Sequence, residues 1–226
     1  MNKTLKVCLI IFSIIIILYV LSEIFIPVAA SKYVRREIEK RYPEAKDVTV
    51  SVRAFPAFRL LFKKYSRLKV SAKEITVEGV RFDSVSLESK SYPQADVEGI
   101  ISEERINEMF SSSSSFVINP KITLLKSNIN VYGRVNLSFG SFYISANGNL
   151  EVRDGREIYF IPQSIEVLGA RAPEQILSAI QSIANETPLL VVRKDLPITL
   201  SSVVSEPGKL IASGKLDLKA AFNLSL

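Results

Sequence analysis

The hydrophobic pattern of this chain changes period as it is read from the N-terminus. Val7 to Ile26 is apolar almost without interruption, and Glu23 is its single charge. A helix needs about 20 mostly apolar residues to cross a hydrocarbon core of roughly 30 Å. The run is long enough, with Lys6 snorkelling at one end and Glu23 at the opposite headgroup level. It predicts a transmembrane helix and divides the chain into an anchor, residues 1–27, and a single domain, residues 28–226. Ala30, Val34, Ile38 and Tyr42 then recur at every fourth position, which predicts that the helix continues past the span. Tyr42-Pro43 ends it, because proline disfavours the helical region for the residue before it.

From Asp47 the period becomes two. Val48, Val50 and Val52 alternate with Thr49, Ser51 and Arg53, a half-buried strand that stops at Phe55-Pro56. Strand patterns resume at Leu68, run through Val70, Ala72, Ile75 and Val77, and break at Glu78-Gly79. They continue with Val80, Phe82, Val85 and Leu87. Further on, Val135, Leu137 and Phe139 precede Gly140-Ser141, and Phe142, Ile144 and Ala146 follow. Glycine at the first central position suits a two-residue type II′ hairpin with Phe139 opposite Phe142. At Asp154-Gly155 a two-residue loop would set Val152 against Glu157. A three-residue loop, 154–156, pairs Val152 with Ile158 and Leu150 with Phe160. The buried face decides register, so the longer loop is predicted. Glu206-Pro207-Gly208-Lys209 fits a type II turn.

Two short amphipathic helices interrupt the strands. Ser102 is placed to cap the first, with Glu103 and Glu104 in its first turn and Ile106, Met109 and Phe110 on its apolar side. Pro173 opens the second at N1, and Ile176, Leu177, Ile180 and Ile183 form its stripe. The serines 111–115 read as a loop tip or a short disordered stretch. Core packing is the ordinary reading of both stripes, and lining a shared apolar site is the functional one. The segment Ala57–Arg67 also has two readings. It mixes Phe58, Leu60, Leu61 and Phe62 with Arg59, Lys63, Lys64 and Arg67. It is either a bilayer-facing loop, aromatics dipping in and cations meeting phosphates, or core residues followed by a solvated turn.

Composition and charge narrow the function. Lys3, Lys6 and the apolar run also fit a secretory signal, with Val28-Ala29-Ala30 as its cleavage site. Signal cores are about 7–15 residues and this one is longer, which favours an uncleaved anchor. Either reading exports the domain. Lys32, Arg35, Arg36, Lys40 and Arg41 on the far flank pull the other way under the positive-inside rule. They alternate with acids in a folded helix, and the short tail before the span resembles a signal n-region. The predicted topology is a single-pass cell-membrane protein with its C-terminal domain extracytoplasmic. A formal net charge of +6 suits an anionic lipid surface and is too weak to indicate nucleic acid. The one cysteine, Cys8, lies in the span, so no disulfide framework is expected. The chain has no histidine, which excludes Ser-His-Asp and Cys-His catalysis and His-ligated metal sites. No phosphate-binding glycine loop or metal-ligand spacing occurs. No catalytic residue, metal or cofactor is predicted, and the protein is read as not an enzyme. Carboxylate chemistry on lipid-linked sugars is the enzymatic alternative, without an assembled site.

Several weak motifs stand in a characteristic order. After the anchor come V-x-V-x-V ending in F-P (48–56), Q-A-D-V-E-G-I-I-S (94–102) and G-N-L-E-V-R-D-G (148–155). F-x-P-x-x-I-x-V-x-G (160–169), a short helix, L-P (196–197) and G-K-L…G (208–214) follow. Together, over nearly all of residues 28–226, they resemble the LmeA-like family of bacterial envelope proteins. The chain departs from that pattern at Ala54 and at Lys63-Lys64, where the family tends to glycine. The resemblance implies an α+β, tubular lipid-binding-like fold, in which a curved antiparallel β-sheet wraps amphipathic helices and leaves an apolar groove. It implies phospholipid binding, with roles in lipid transfer or cell-envelope glycolipid assembly. With apolarity, it points to Phe55, Phe58, Leu61, Phe62, Ile106, Phe110, Leu177 and Ile180 as acyl-chain contacts. Arg59, Lys63, Lys64 and Arg67 become head-group or membrane-surface contacts. The expected partners are a phospholipid or other envelope lipid, the membrane, and an unidentified envelope protein. The competing reading is a non-enzymatic structural or interaction ectodomain with a fully packed interior.

Overall fold

The computed structural model describes residues 3–223 apart from 63, 78, 112–116, 138–139, 168 and 194. The predicted span and its extension form one helix, α1 (Lys3–Arg41), with Pro27 inside it. Among the described residues, most of its apolar stretch is left uncovered: Ile10, Phe12, Leu18 and Phe25 are each at least 59% exposed. That is the surface a helix presents to hydrocarbon rather than to a protein core. The last turns of α1 do pack, with Ile38 and Tyr42 against Val48, Ala72 and Ile75.

The strands follow as β1 (Lys46–Arg53), β2 (Arg67–Val77), β3 (Val80–Ser91) and β4 (Gln94–Ser102). A 3₁₀ segment, Ala57–Phe62, lies between β1 and β2. After α2 (Glu103–Ser111) come β5 (Val117–Leu125), β6 (Asn128–Leu137), β7 (Gly140–Arg153), β8 (Glu157–Val167) and β9 (Ala170–Arg171). The chain ends with α3 (Glu174–Glu186), β10 (Leu190–Val191), β11 (Ile198–Glu206), β12 (Lys209–Asp217) and α4 (Leu218–Asn223).

The fold is α+β, and the antiparallel strands divide into two open sheets. The first has the order β1-β2-β3-β4-β12-β11 and the second β10-β8-β7-β6-β5, with β9 on β8. The last hairpin of the chain therefore returns to complete the sheet that the first four strands began. The sheets meet along β11, where the Leu200 N–H donates to the Gly155 carbonyl at 2.7 Å and the Ser127 N–H to the Ser205 carbonyl at 2.8 Å. Buried Ser205 adds a hydroxyl bond to the Leu125 carbonyl at 2.8 Å.

The three-residue loop at 154–156 forms as predicted, with Val152 opposite Ile158 and Leu150 opposite Phe160. The preceding hairpin differs. Leu137 pairs with Gly140 and Val135 with Phe142, so the connection is 138–139, outside the described residues, rather than Gly140-Ser141. The two registers differ by an even number of residues, so the buried face is the same in both. The observed register sets Ile129 opposite Gly148 and Gly133 opposite Ile144, a bulky residue against a glycine in each pair. Pro173 stands at the N-cap of α3 with ψ 149°, one position before the expected N1.

Inward residues of the second sheet and of α3 share the main buried cluster, including Val135, Ile144, Ile165, Ile176 and Ile180. A smaller cluster at the far end of the first sheet joins Val52, Leu68, Ala95 and Leu218. It closes the end of the sheet next to the 3₁₀ segment.

Candidate functional site

Beside the main cluster the interior is not filled. A cavity of about 220 Å³ lies where the first sheet, α2 and the near end of the second sheet converge. On the first sheet its wall is Val85, Val97, Ile198, Leu200 and Ala212. Ile106, Met109 and Phe110 of α2 face it, with Ile122, Ile129 and Leu150 from the second sheet. The geometry follows from small residues at inward positions. Gly99 carries the ring of Phe82, and a Cβ there would lie 2.7 Å from that ring. Its neighbour across the sheet is Ala212, so neither of these two paired positions carries a large side chain of its own.

The remaining wall is the run Leu189–Arg193 with Leu196. Its backbone is tied to the second sheet, the Leu189 N–H donating to Ile158 and the Val192 N–H to Arg156, each at 2.8 Å. Arg156 Nη1 returns a bond to the Arg193 carbonyl at 2.8 Å. Val191 is 54% exposed, so the cavity wall reaches the surface here. Among the described lining residues Arg193 carries the only charge. Its guanidinium grips Asp195, Nη2 to Oδ2 at 2.8 Å, and holds that carboxyl below its ordinary range.

Behind α2 the wall is fixed by an ion pair. Arg105 Nε binds one oxygen of Asp83, and the Ser102 N–H at the start of α2 binds the other. Burial works to raise the Asp83 carboxyl, but these hydrogen bonds outweigh it and hold the group below the usual carboxylate range. Asp83 thus fixes Ser102, the residue just before α2, from a neighbouring strand. Asn107 completes the seat, its amide spanning the Ile122 N–H and carbonyl at 2.7 and 2.8 Å.

The structure divides the candidate lipid residues between two places. Ile106, only 4% exposed, and Phe110 line the cavity. Leu177 and Ile180 sit in the cluster of the second sheet, outside the cavity lining. Phe55, Phe58 and Phe62 are 71, 46 and 69% exposed on and beside the 3₁₀ segment, which packs along α1. The Leu61 side chain and all of Lys63 fall outside the described residues. Arg59 and Lys64 are exposed next to the phenylalanines. Arg67 pairs with Glu88, which it shares with Lys69, and the two cations lower the Glu88 carboxyl. Val85, Val97 and Leu200 carry in the sequence only the signal of ordinary strand residues. Leu189–Val192 is an apolar run without alternation, and that pattern is the signal available for it.

Such a site can shield an apolar chain from water. A dry apolar cavity of about 150 Å³ already binds benzene, and this one is larger. Among the described residues no group of acidic side chains is arranged to hold a metal ion. No curated protein and no solved structure matches the chain. A family model does, over residues 21–215, from the end of the apolar run to the last strand. With an N-terminal helix long and apolar enough to cross a membrane, this chain belongs to the LmeA-like phospholipid-binding family.

Proposed function

We propose that this protein is a single-pass, extracytoplasmic, non-enzymatic carrier that holds phospholipid acyl chains in the cavity between its sheets and passes lipid onward during envelope assembly. The observation that carries the reading is the cavity, apolar at every described lining position except Arg193, in a member of a phospholipid-binding family. Each buried CH₂ contributes about 0.8 kcal/mol. Ten of them would approach micromolar affinity, about 8 kcal/mol, before ordering costs are subtracted. Ile106 and Phe110 contact the chain directly, and Leu177 and Ile180 back the wall from the second sheet. The mouth lies along Leu189–Val192, with Arg193 as the cation nearest the lipid phosphate. The basic group Arg59, Lys63, Lys64 and Arg67 belongs to the membrane-facing end.

Lipid extraction of the full-length protein, read by mass spectrometry, tests this. One phospholipid per chain, retained through purification, is expected. No co-purified lipid and no uptake of labelled phospholipid would leave the interaction-ectodomain reading in its place.

A further inference from the structure

The 3₁₀ segment is tied to the span at a depth that the span itself sets. Both carboxylate oxygens of Glu23 accept the N–H of Ala57, at 2.9 and 3.0 Å. Ala57 is fully buried and opens the segment. Glu23 lies three residues before Ile26, the end of the apolar run, which is about 5 Å along a helix. A side chain of this length cannot reach a residue far from the membrane surface if residues 7–26 cross the bilayer. A second tie lies eight residues on, where Ser31 Oγ accepts the N–H of Val52 at 3.1 Å while donating to the Pro27 carbonyl at 2.8 Å.

Around this point exposed aromatics and cations are gathered. Phe55, Phe58 and Phe62 are largely exposed on a segment whose backbone is held in place. Arg59 and Lys64 stand among them, and Arg59 Nη1 donates to the Phe55 carbonyl at 3.3 Å. Exposed aromatics ringed by cations suit the boundary between acyl chains and phosphates. The patch is continuous with the span, so the surface that meets it is the same bilayer.

We infer that the 3₁₀ segment is a second membrane contact, an interfacial seat on an anionic phospholipid bilayer, with Glu23 as the residue that positions it. Phe55, Phe58 and Phe62 enter the acyl boundary, and Arg59 and Lys64 meet phosphates. The domain stands at a fixed height rather than hanging on a flexible tether. Ile38, which packs against the same buried cluster as the cavity-wall residues Val77 and Phe82, then lies about 18 Å along α1 beyond the apolar run. This inference rests on α1 crossing the bilayer and not on the cavity holding lipid.

The chain contains no tryptophan, so a single introduced one reports its own depth. Full-length Phe58→Trp and Phe55→Trp are reconstituted in vesicles of phosphatidylcholine and phosphatidylglycerol, with or without brominated lipid. Phe12→Trp reports the span, and Tyr143→Trp the outer face of the second sheet. Blue-shifted emission, lost to lipids brominated near the head group, is expected at positions 58 and 55, with Tyr143→Trp unaffected. Glu23→Ala in the Phe58→Trp background is expected to weaken that quenching, and Glu23→Gln, which keeps an acceptor, to preserve it. Emission at 58 and 55 that matches Tyr143→Trp while Phe12→Trp is quenched would overturn the seat. Equal quenching with Glu23→Ala would overturn the role of Glu23. An unquenched Phe12→Trp would instead overturn the span. Lipid uptake by the cavity is scored separately and does not bear on these outcomes.

Discussion

The two sheets begin from the same alternation of apolar and polar residues and are finished differently. Inward residues of the second sheet, Ile129, Val135, Ile144, Ala146 and Ile165, are at most 2% exposed. The first sheet is buried at Val48, Leu68, Ala72, Ala95, Ile101 and Leu210, but Val85, Leu87, Val97, Ile198 and Leu200 are only half-buried. The second sheet has a helix of its own: α3 brings Ile176, Ile180 and Ala184 against it. The first has α1 along β1 at one edge and α2 at its end, and among the described residues no helix packs flat across its middle. Apolar surface left open in this way holds about 25 cal/mol per Å² in reserve for whatever covers it. The comparison shows that a period-two pattern commits a residue to one face of a sheet, while the supply of helices decides whether that face becomes core or site.

Core truncation should expose the difference most strongly. Ile180→Ala, in the filled half, is expected to cost about 3–4 kcal/mol in denaturant unfolding of the full chain. Leu200→Ala, on the cavity wall, should cost about 1 kcal/mol, because its side chain lacks a full set of neighbours to lose. Equal costs would show that both interiors are packed alike.

The Asp83–Arg105 pair fixes α2, which both halves share. Asp83→Asn is expected to cost about 2 kcal/mol at neutral pH, since hydrogen bonds to charged groups are worth more than neutral ones. The folded-state carboxyl is depressed, so its contribution is complete above the ordinary carboxylate range and is lost as pH falls through the folded value. Unfolding midpoints of the parent should therefore drop below about pH 4 more steeply than those of Asp83→Asn. Parallel pH profiles would remove the pair from the account. At the small end, Glu88→Gln on the exposed surface should leave the midpoint at neutral pH unchanged. Its two cations already lie in water, where such pairs contribute little.

Local features of this fold could be read from the residues, because they depend on near neighbours. Tyr42-Pro43 ends α1, and the clash of Val152 with Glu157 selects the 154–156 loop. Pairings between distant strands could not be read in this way. Nothing in Lys209–Asp217 announces that β12 will lie beside β4. The Gly140-Ser141 turn lost to a register that sets bulky residues opposite Gly148 and Gly133, a condition visible only once three strands are aligned. The site was harder still. Phe58 and Ile106 carry the same signal of apolarity, yet one lies exposed beside α1 and the other on the cavity wall. A cavity is a shortage of side chains, and Gly99 and Ala212 register in a sequence only as small residues.

The central claim is that lipid completes the first sheet where the second is completed by α3. Uptake of a fluorescent phospholipid by full-length protein, compared between the parent and Val97→Phe, tests it most directly. The phenylalanine enters existing space, so stability should change by less than about 1 kcal/mol where overpacking a filled core would cost more. The account predicts saturable uptake by the parent and its loss in Val97→Phe, with the fold retained. Undiminished uptake by Val97→Phe, or none by the parent, would contradict it.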